Sequence, residues 1–304
     1  MVCLEDPLVQ KIHQLYHKIS TLDTLNPSPT VDELFNQLVT LCIPPHPIDV
    51  TKLCPDTQTI RTKLITLCGH AEGLLEKHYS TILSSFTHPL HHLHLFPYYQ
   101  NYLKLASLES DLLRPHCPNP ARIAFLGSGP LPLTSILLAS LHLKSTIFHN
   151  FDMDQTANVM AERLVGPDPD LSRRMSFFTN DVMDVSLGGY DVVFLAALVG
   201  MEIEEKVKVV EHLARSMDPG AVLVARSAHG ARAFLYPVVE TRHLRGFEVV
   251  SVFHPTDEVI NSVVVARRCP KVPAASILCG NKCVEISEVM NSLVEELITV
   301  EEHL

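Results

Sequence analysis

Along the first 115 or so positions the apolar residues recur at helical spacing. Leu8, Val9, Ile12, Leu15, Tyr16 and Ile19 mark one helix; Val31, Leu34, Phe35, Leu38, Val39 and Cys42 mark a second, which follows Ser28-Pro29-Thr30. Prolines make 43–55 a loop, and a longer helical pattern then runs over 56–85 through Ile60, Leu64, Leu67, Cys68, Ala71, Leu75 and Ile82. A further helix is predicted after Pro97, through Tyr102, Leu105 and Leu108. The turn cluster Arg114-Pro115-His116-Cys117-Pro118-Asn119-Pro120 closes this helical region.

Beyond it, short apolar runs alternate with helical segments, as in a parallel sheet with crossover helices. Seven strands are predicted, at 122–126, 145–151, 175–178, 191–195, 221–226, 247–253 and 262–266. The expected class is therefore α/β: a doubly wound, Rossmann-like sheet of about seven strands with helices on both faces, of the S-adenosylmethionine-dependent methyltransferase type, preceded by an all-helical domain. The expected division is 1–117 helical, 118–268 Rossmann-like, and 269–304 a linker with an acidic amphipathic helix over 284–304.

Composition narrows the class. At 46% hydrophobic and 19% charged residues, the chain of 304 residues is a folded one. It has no apolar run of the roughly 18–20 residues a membrane span requires, and its early acids speak against a secretory signal. The eight cysteines lack a C-x-x-C pair and read as reduced thiols, which suggests the cytoplasm. A net charge of −10 argues against a nucleic-acid partner and suits a cationic small molecule.

The densest chemical signal is Ala-Arg-Ile-Ala-Phe-Leu-Gly-Ser-Gly-Pro at 121–130. It places Gly127, Ser128, Gly129 and Pro130 between a strand and a helical run. Glycine there lets the backbone turn sharply and approach a ligand, and Pro130 suits the first turn of a helix. The third glycine of the dinucleotide fingerprint is absent, with Leu131 and Pro132 in its region. This favours a phosphate-free nucleoside over NAD. Asp152, at the end of the second strand, is expected to accept from both ribose hydroxyls, and Asp154 to cap the next helix. After the third strand, Asn180 and Asp181 are candidates for the adenine, with a turn role open for Asp181. Ala196 begins the apolar exit of the fourth strand, which offers no acid in the place where a methylating enzyme often has one. Arg226, His229 and Arg232 follow the fifth strand at the carboxyl edge, where cations could hold substrate carboxylates. The histidines His88, His91, His92 and His94 fit no strong metal pattern and read as loop residues.

These segments together resemble the plant nicotianamine synthases. The likeness rests on Ala-Glu-Gly-Leu-Leu-Glu-Lys-His-Tyr at 71–79, Phe-Pro-Tyr-Tyr-Gln-Asn-Tyr-Leu-Lys-Leu at 96–105, the glycine segment at 123–135, Phe-Asp-Met-Asp at 151–154 and Arg-Ser-Ala-His-Gly-Ala-Arg-Ala-Phe-Leu-Tyr-Pro at 226–237. The resemblance implies condensation of three S-adenosylmethionine molecules into nicotianamine, a chelator of iron, zinc and copper, with release of three methylthioadenosines. It implies S-adenosylmethionine as substrate and requires no metal. By the same resemblance Glu76 is the base that deprotonates the attacking amine and Tyr102 orients it. Glu72 is the reserve carboxylate, and Tyr99 belongs with the tyrosines that cover the site. On periodicity alone Glu76 falls well off the stripe of Ile60, Leu64, Leu67 and Ala71 and would be solvated. The residues by themselves also leave open a conventional methyltransferase and a non-catalytic nucleoside-binding protein.

Overall fold

The computed structural model describes residues 6–46 and 48–270. The helix expected over 284–304 lies outside the described residues. Four helices open the chain: α1 (Pro7–Ser20), α2 (Pro29–Cys42), α3 (Pro55–Leu83) and α4 (Tyr99–Leu113). The Asp6 carboxylate accepts from the backbone N–H groups of Leu8 and Val9 at the start of α1, and Ser28 caps α2 with proline in its first turn. Each side chain thus satisfies donors that a helix start leaves unpaired. The histidine-rich stretch forms a short 3-10 run, Pro89–Leu95, in which His92 stacks on Phe86 at 3.9 Å.

The sheet comprises β1 (Arg122–Leu126), β2 (Ile147–Asp152), β3 (Met175–Thr179), β4 (Val192–Leu195), β5 (Val222–Ser227), β6 (Phe247–Phe253) and β7 (Ser262–Arg268), in the order β3-β2-β1-β4-β5-β7-β6. The first five are parallel, and β7 pairs antiparallel with both β5 and β6. All seven predicted strands are present within about two residues of their expected limits. Between them run α5 (Leu133–Leu137), which continues as a π-turn over Leu138–His142, then α6 (Gln155–Val165), α7 (Leu171–Arg174) and α8 (Ile203–Ser216).

Alternating strand residues supply two cores. On one face Ile123, Phe125, Phe148, Phe194 and Val224 pack with α4 and α5; on the other Ala124, Leu126, Val193, Leu195 and Leu223 pack with α8. A third core unites α1, α2 and α3 with Phe234 and Leu235, which follow β5. Arg61 of α3 also donates to the Ala233 carbonyl at 2.8 Å. The opening helices are thereby fixed onto the carboxyl edge of the sheet, and the described residues fall in one compact unit ending at Pro270.

One expectation is corrected. Pro130 does not lie in the first turn of a helix, because α5 begins only at Leu133, preceded by Pro132. Gly127 and Gly129 both take positive φ (78° and 67°), so the chain turns twice before it can become helical.

Candidate active site

β1 and β4 are neighbours whose crossovers leave in opposite directions, which opens a crevice beyond their carboxyl ends. Helix α3 roofs it. The result is a cavity of about 700 Å³, bounded by the glycine turn, the ends of β2 and β3, the exit of β4 and one face of α3. That face carries Gly69, Glu72, Gly73 and Glu76 at positions i, i+3, i+4 and i+7, so all four point the same way.

Gly127 must be glycine on two grounds: its φ, and the 2.4 Å that would separate a Cβ from the Val199 methyl. At Gly129 a Cβ would stand 2.7 Å from a carboxylate oxygen of Glu76, so the α3 acid sits against the glycine turn. Asp152 lines the same space. Its Oδ2 accepts from the Gly129 N–H at 2.8 Å and its Oδ1 from the Asp154 N–H at 2.9 Å. Asp154 caps α6 through the Thr156 N–H and pairs with Lys77 of α3 at 2.8 Å. Asp181 lines the cavity too and caps the turn that follows it, through the Met183 N–H at 2.9 Å. Ser128, Pro130, Asn180 and Ala196 complete the expected wall.

At the inner end stand Glu72, Glu76, Tyr102, Tyr236 and Arg226. The Tyr102 hydroxyl reaches Glu72 Oε1 at 3.2 Å and Glu76 Oε1 at 3.5 Å, one proton facing two acceptors. Tyr236 donates to the other oxygen of Glu72 at 2.9 Å. Burial raises the proton affinity of Glu72, an effect opposed by the hydrogen bonds from Tyr236 and Tyr102 and by the charge of Arg226. Glu76 is pushed well above the usual carboxylate range, by burial first and then by the negative charges of Glu72 and Asp152. Burial and the adjoining glutamates likewise raise Tyr102, which remains a neutral hydroxyl.

Arg226 makes a bidentate pair with the fully buried Glu109 of α4, at 2.7 and 3.1 Å, and donates to the Thr134 hydroxyl at 2.5 Å. Only its Nη1 has no hydrogen bond to the described residues. Burial disfavours the guanidinium, but the Glu109 carboxylate outweighs this and keeps it charged. The other two expected cations lie away from the cavity. His229 is exposed and stacks on His254 at 4.1 Å, while Arg232 is buried and donates to the carbonyls of Pro255 and Asp257. Tyr99 packs against the sheet-side core and is not part of the wall.

Three site residues escaped the sequence reading: Tyr236, Glu109 and Lys206. Lys206 is buried in α8 and donates to the carbonyls of Ala197 and Val199 in the β4 exit. Burial lowers it to about 7. The glycine and glutamate stripe of α3 was a signal for Glu76 itself, whereas nothing local announces Glu109.

The sequence model of a family described as nicotianamine synthase protein matches residues 3–273. The chain is 61% identical to a nicotianamine synthase of Solanum lycopersicum over 284 residues, covering 92% of this chain and 89% of the relative. It is 59% identical to a probable nicotianamine synthase 4 of Arabidopsis thaliana, covering 97% and 96%. Among solved structures, a crystal structure of MtNAS in complex with MTA and tNA superposes with a TM-score of 0.76 at 22% identity, covering 87% of this chain and 99% of the other. That likeness establishes the fold.

Proposed function

Because this chain belongs to the nicotianamine synthase family, we propose that the cavity binds S-adenosylmethionine as its substrate and transfers the aminobutyrate arm, three donors giving one nicotianamine and three methylthioadenosines. The observation that carries this reading is the meeting of Glu76 with the glycine turn, which brings a base of raised proton affinity to the donor site.

The residues present fit the substrate. Six carboxylates line the cavity (Glu72, Glu76, Asp152, Asp154, Asp181 and Glu205) against three basic side chains, Lys77, Lys208 and Arg226, an excess that suits a sulfonium cation. Asp152 keeps lone pairs for ribose hydroxyls beyond its two backbone bonds, and Asn180, Asp181 and Ala196 form the wall assigned to adenine. An acceptor α-ammonium beside Glu72 and Glu76 must lose a proton before it attacks. Glu76, with its raised affinity, takes that proton. The amine lone pair then forms a bond to the donor's aminobutyl carbon, and the carbon–sulfur bond breaks with its electrons retained by sulfur, leaving neutral methylthioadenosine. Tyr102 holds the amine in line, and Glu72, fixed by two phenols, stabilises the ammonium before transfer. Arg226, through Nη1, is the one of the three expected cations placed to meet a substrate carboxylate.

No helix among the described residues is long and apolar enough to cross a membrane. The free thiols of Cys42, Cys68, Cys117 and Cys269 support a reducing, cytoplasmic location. The test is incubation with S-adenosylmethionine alone, followed by mass spectrometry. Nicotianamine and methylthioadenosine in a ratio of one to three support the reading. A requirement for a separate acceptor, with methyl transfer to it, overturns it.

A further inference from the structure

β7 runs antiparallel to β5, so its first residues arrive at the edge where the parallel strands end. Ser262 pairs with Ser227 and Val263 with Arg226, so Asn261, two residues before the partner of Arg226, lies diagonally across from it at the end of the strand pair. Both line the cavity that Glu76 and Tyr102 also line. Asn261 is 7% exposed, and its amide nitrogen has no hydrogen-bond partner among the described residues. A buried donor left unpaired costs about 1–3 kcal/mol, a cost removed by an acceptor that enters with the ligand. The amide turns about a broad, two-fold torsion and so can present its N–H groups to the cavity. On the same cavity wall, the one guanidinium nitrogen of Arg226 without a hydrogen bond to the described residues belongs to a group that Glu109 holds rigid.

We infer that Asn261 and the Nη1 edge of Arg226 form a subsite for the α-carboxylate of an aminobutyrate arm, with Asn261 as the residue that makes this carboxylate a requirement for binding. The inference rests on the proposed use of S-adenosylmethionine by this cavity. An α-amino acid presents an ammonium and a carboxylate on one carbon. The cavity's inner end matches that pattern, with Glu72 and Glu76 for the ammonium and the Asn261–Arg226 edge for the carboxylate. Amide and guanidinium together read a planar anion by directed hydrogen bonds, which a lone point charge does not do.

Calorimetric titration of the full chain with three ligands tests it: S-adenosylmethionine, its decarboxylated analogue, and methylthioadenosine, which lacks the arm. The unaltered protein is expected to prefer S-adenosylmethionine to the decarboxylated analogue. Asn261→Ala is expected to weaken S-adenosylmethionine about 10- to 100-fold, to leave methylthioadenosine within about twofold and to shrink the preference for the carboxylate. Asn261→Asp keeps the shape, removes the donors and sets like charges together, so it lowers S-adenosylmethionine affinity at least as far. It also serves should the alanine variant fail to fold. Equal loss for all three ligands, or no loss for any, overturns the inference. No preference for the carboxylate in the unaltered protein overturns the subsite alone. Failure to bind either S-adenosylmethionine or methylthioadenosine overturns the functional reading beneath it.

Discussion

Replacing Glu76 by glutamine isolates the base from the pocket it sits in. The amide has nearly the shape of the carboxylate, so the contact with the Gly129 turn and the reach of Tyr102 are retained, but it cannot accept the ammonium proton. A positioned general base contributes about 100- to 10,000-fold, or about 3–5.5 kcal/mol in the barrier, and kcat of Glu76→Gln is expected to fall within that range. The nucleoside end, with Asp152, Asn180 and Asp181, is untouched, so KM for S-adenosylmethionine should change less than threefold. In the unaltered enzyme kcat should decline as pH falls through the raised affinity of Glu76, and the variant's residual rate should lack that limb. Stability gives an independent reading. A carboxyl group whose affinity is higher folded than unfolded takes up a proton on folding, so stability declines as pH rises from the unfolded value of about 4.5 through the folded one. Removing the charge should therefore raise Tm at neutral pH, and the gain should vanish below about pH 4. Chromatographic release of methylthioadenosine and calorimetric melting measure both quantities. Full turnover in Glu76→Gln, or a loss confined to KM, would refute the assignment.

Other outcomes follow from the same geometry. Gly127→Ala combines a positive φ with a 2.4 Å clash against Val199, so it should lose S-adenosylmethionine binding by calorimetry and unfold at lower urea. Glu109→Ala leaves the Arg226 guanidinium buried without its partner and should cost about 3–5 kcal/mol in urea unfolding, whereas the half-exposed Lys77–Asp154 pair should cost no more than about 1 kcal/mol on Lys77→Ala. Lys206 is lowered to about 7 by burial, so between that pH and its unfolded value the unfolded chain holds a proton that the native one has released. Stability should therefore gain a rising contribution above pH 7, which Lys206→Met abolishes in melts taken from pH 6 to 10.

Periodicity located the helices and strands because each presents an apolar face to a core, and Gly127 and Asp152 were legible because a turn at the end of β1 leaves few chemical options. Glu76 was misleading on the wheel for a physical reason: α3 has two working faces, one apolar toward α1 and α2 and one of glycine and glutamate toward the cavity, and a single hydrophobic stripe describes only the first. His229 and Arg232 had the right neighbourhood in sequence. The turn Gly230–Phe234 after β5, however, sends one to the surface and the other into a loop clasp. The partnership of Arg226 with Glu109 joins β5 to α4, and no local pattern encodes a contact between elements so far apart along the chain.

Gly129 has a consequence for anyone who would graft this turn onto another scaffold, or another turn onto this one. Its φ of 67° calls for glycine, and a Cβ there would also stand 2.7 Å from a carboxylate oxygen of Glu76, so position 129 is held by its own turn and by an acid borne on a separate helix. A donor loop carrying even an alanine there would strain the turn and push the Glu76 carboxylate aside. The hybrid would hold both its glycine turn and its proton acceptor out of place. Loop and helix must therefore be transplanted together, as one inherited piece.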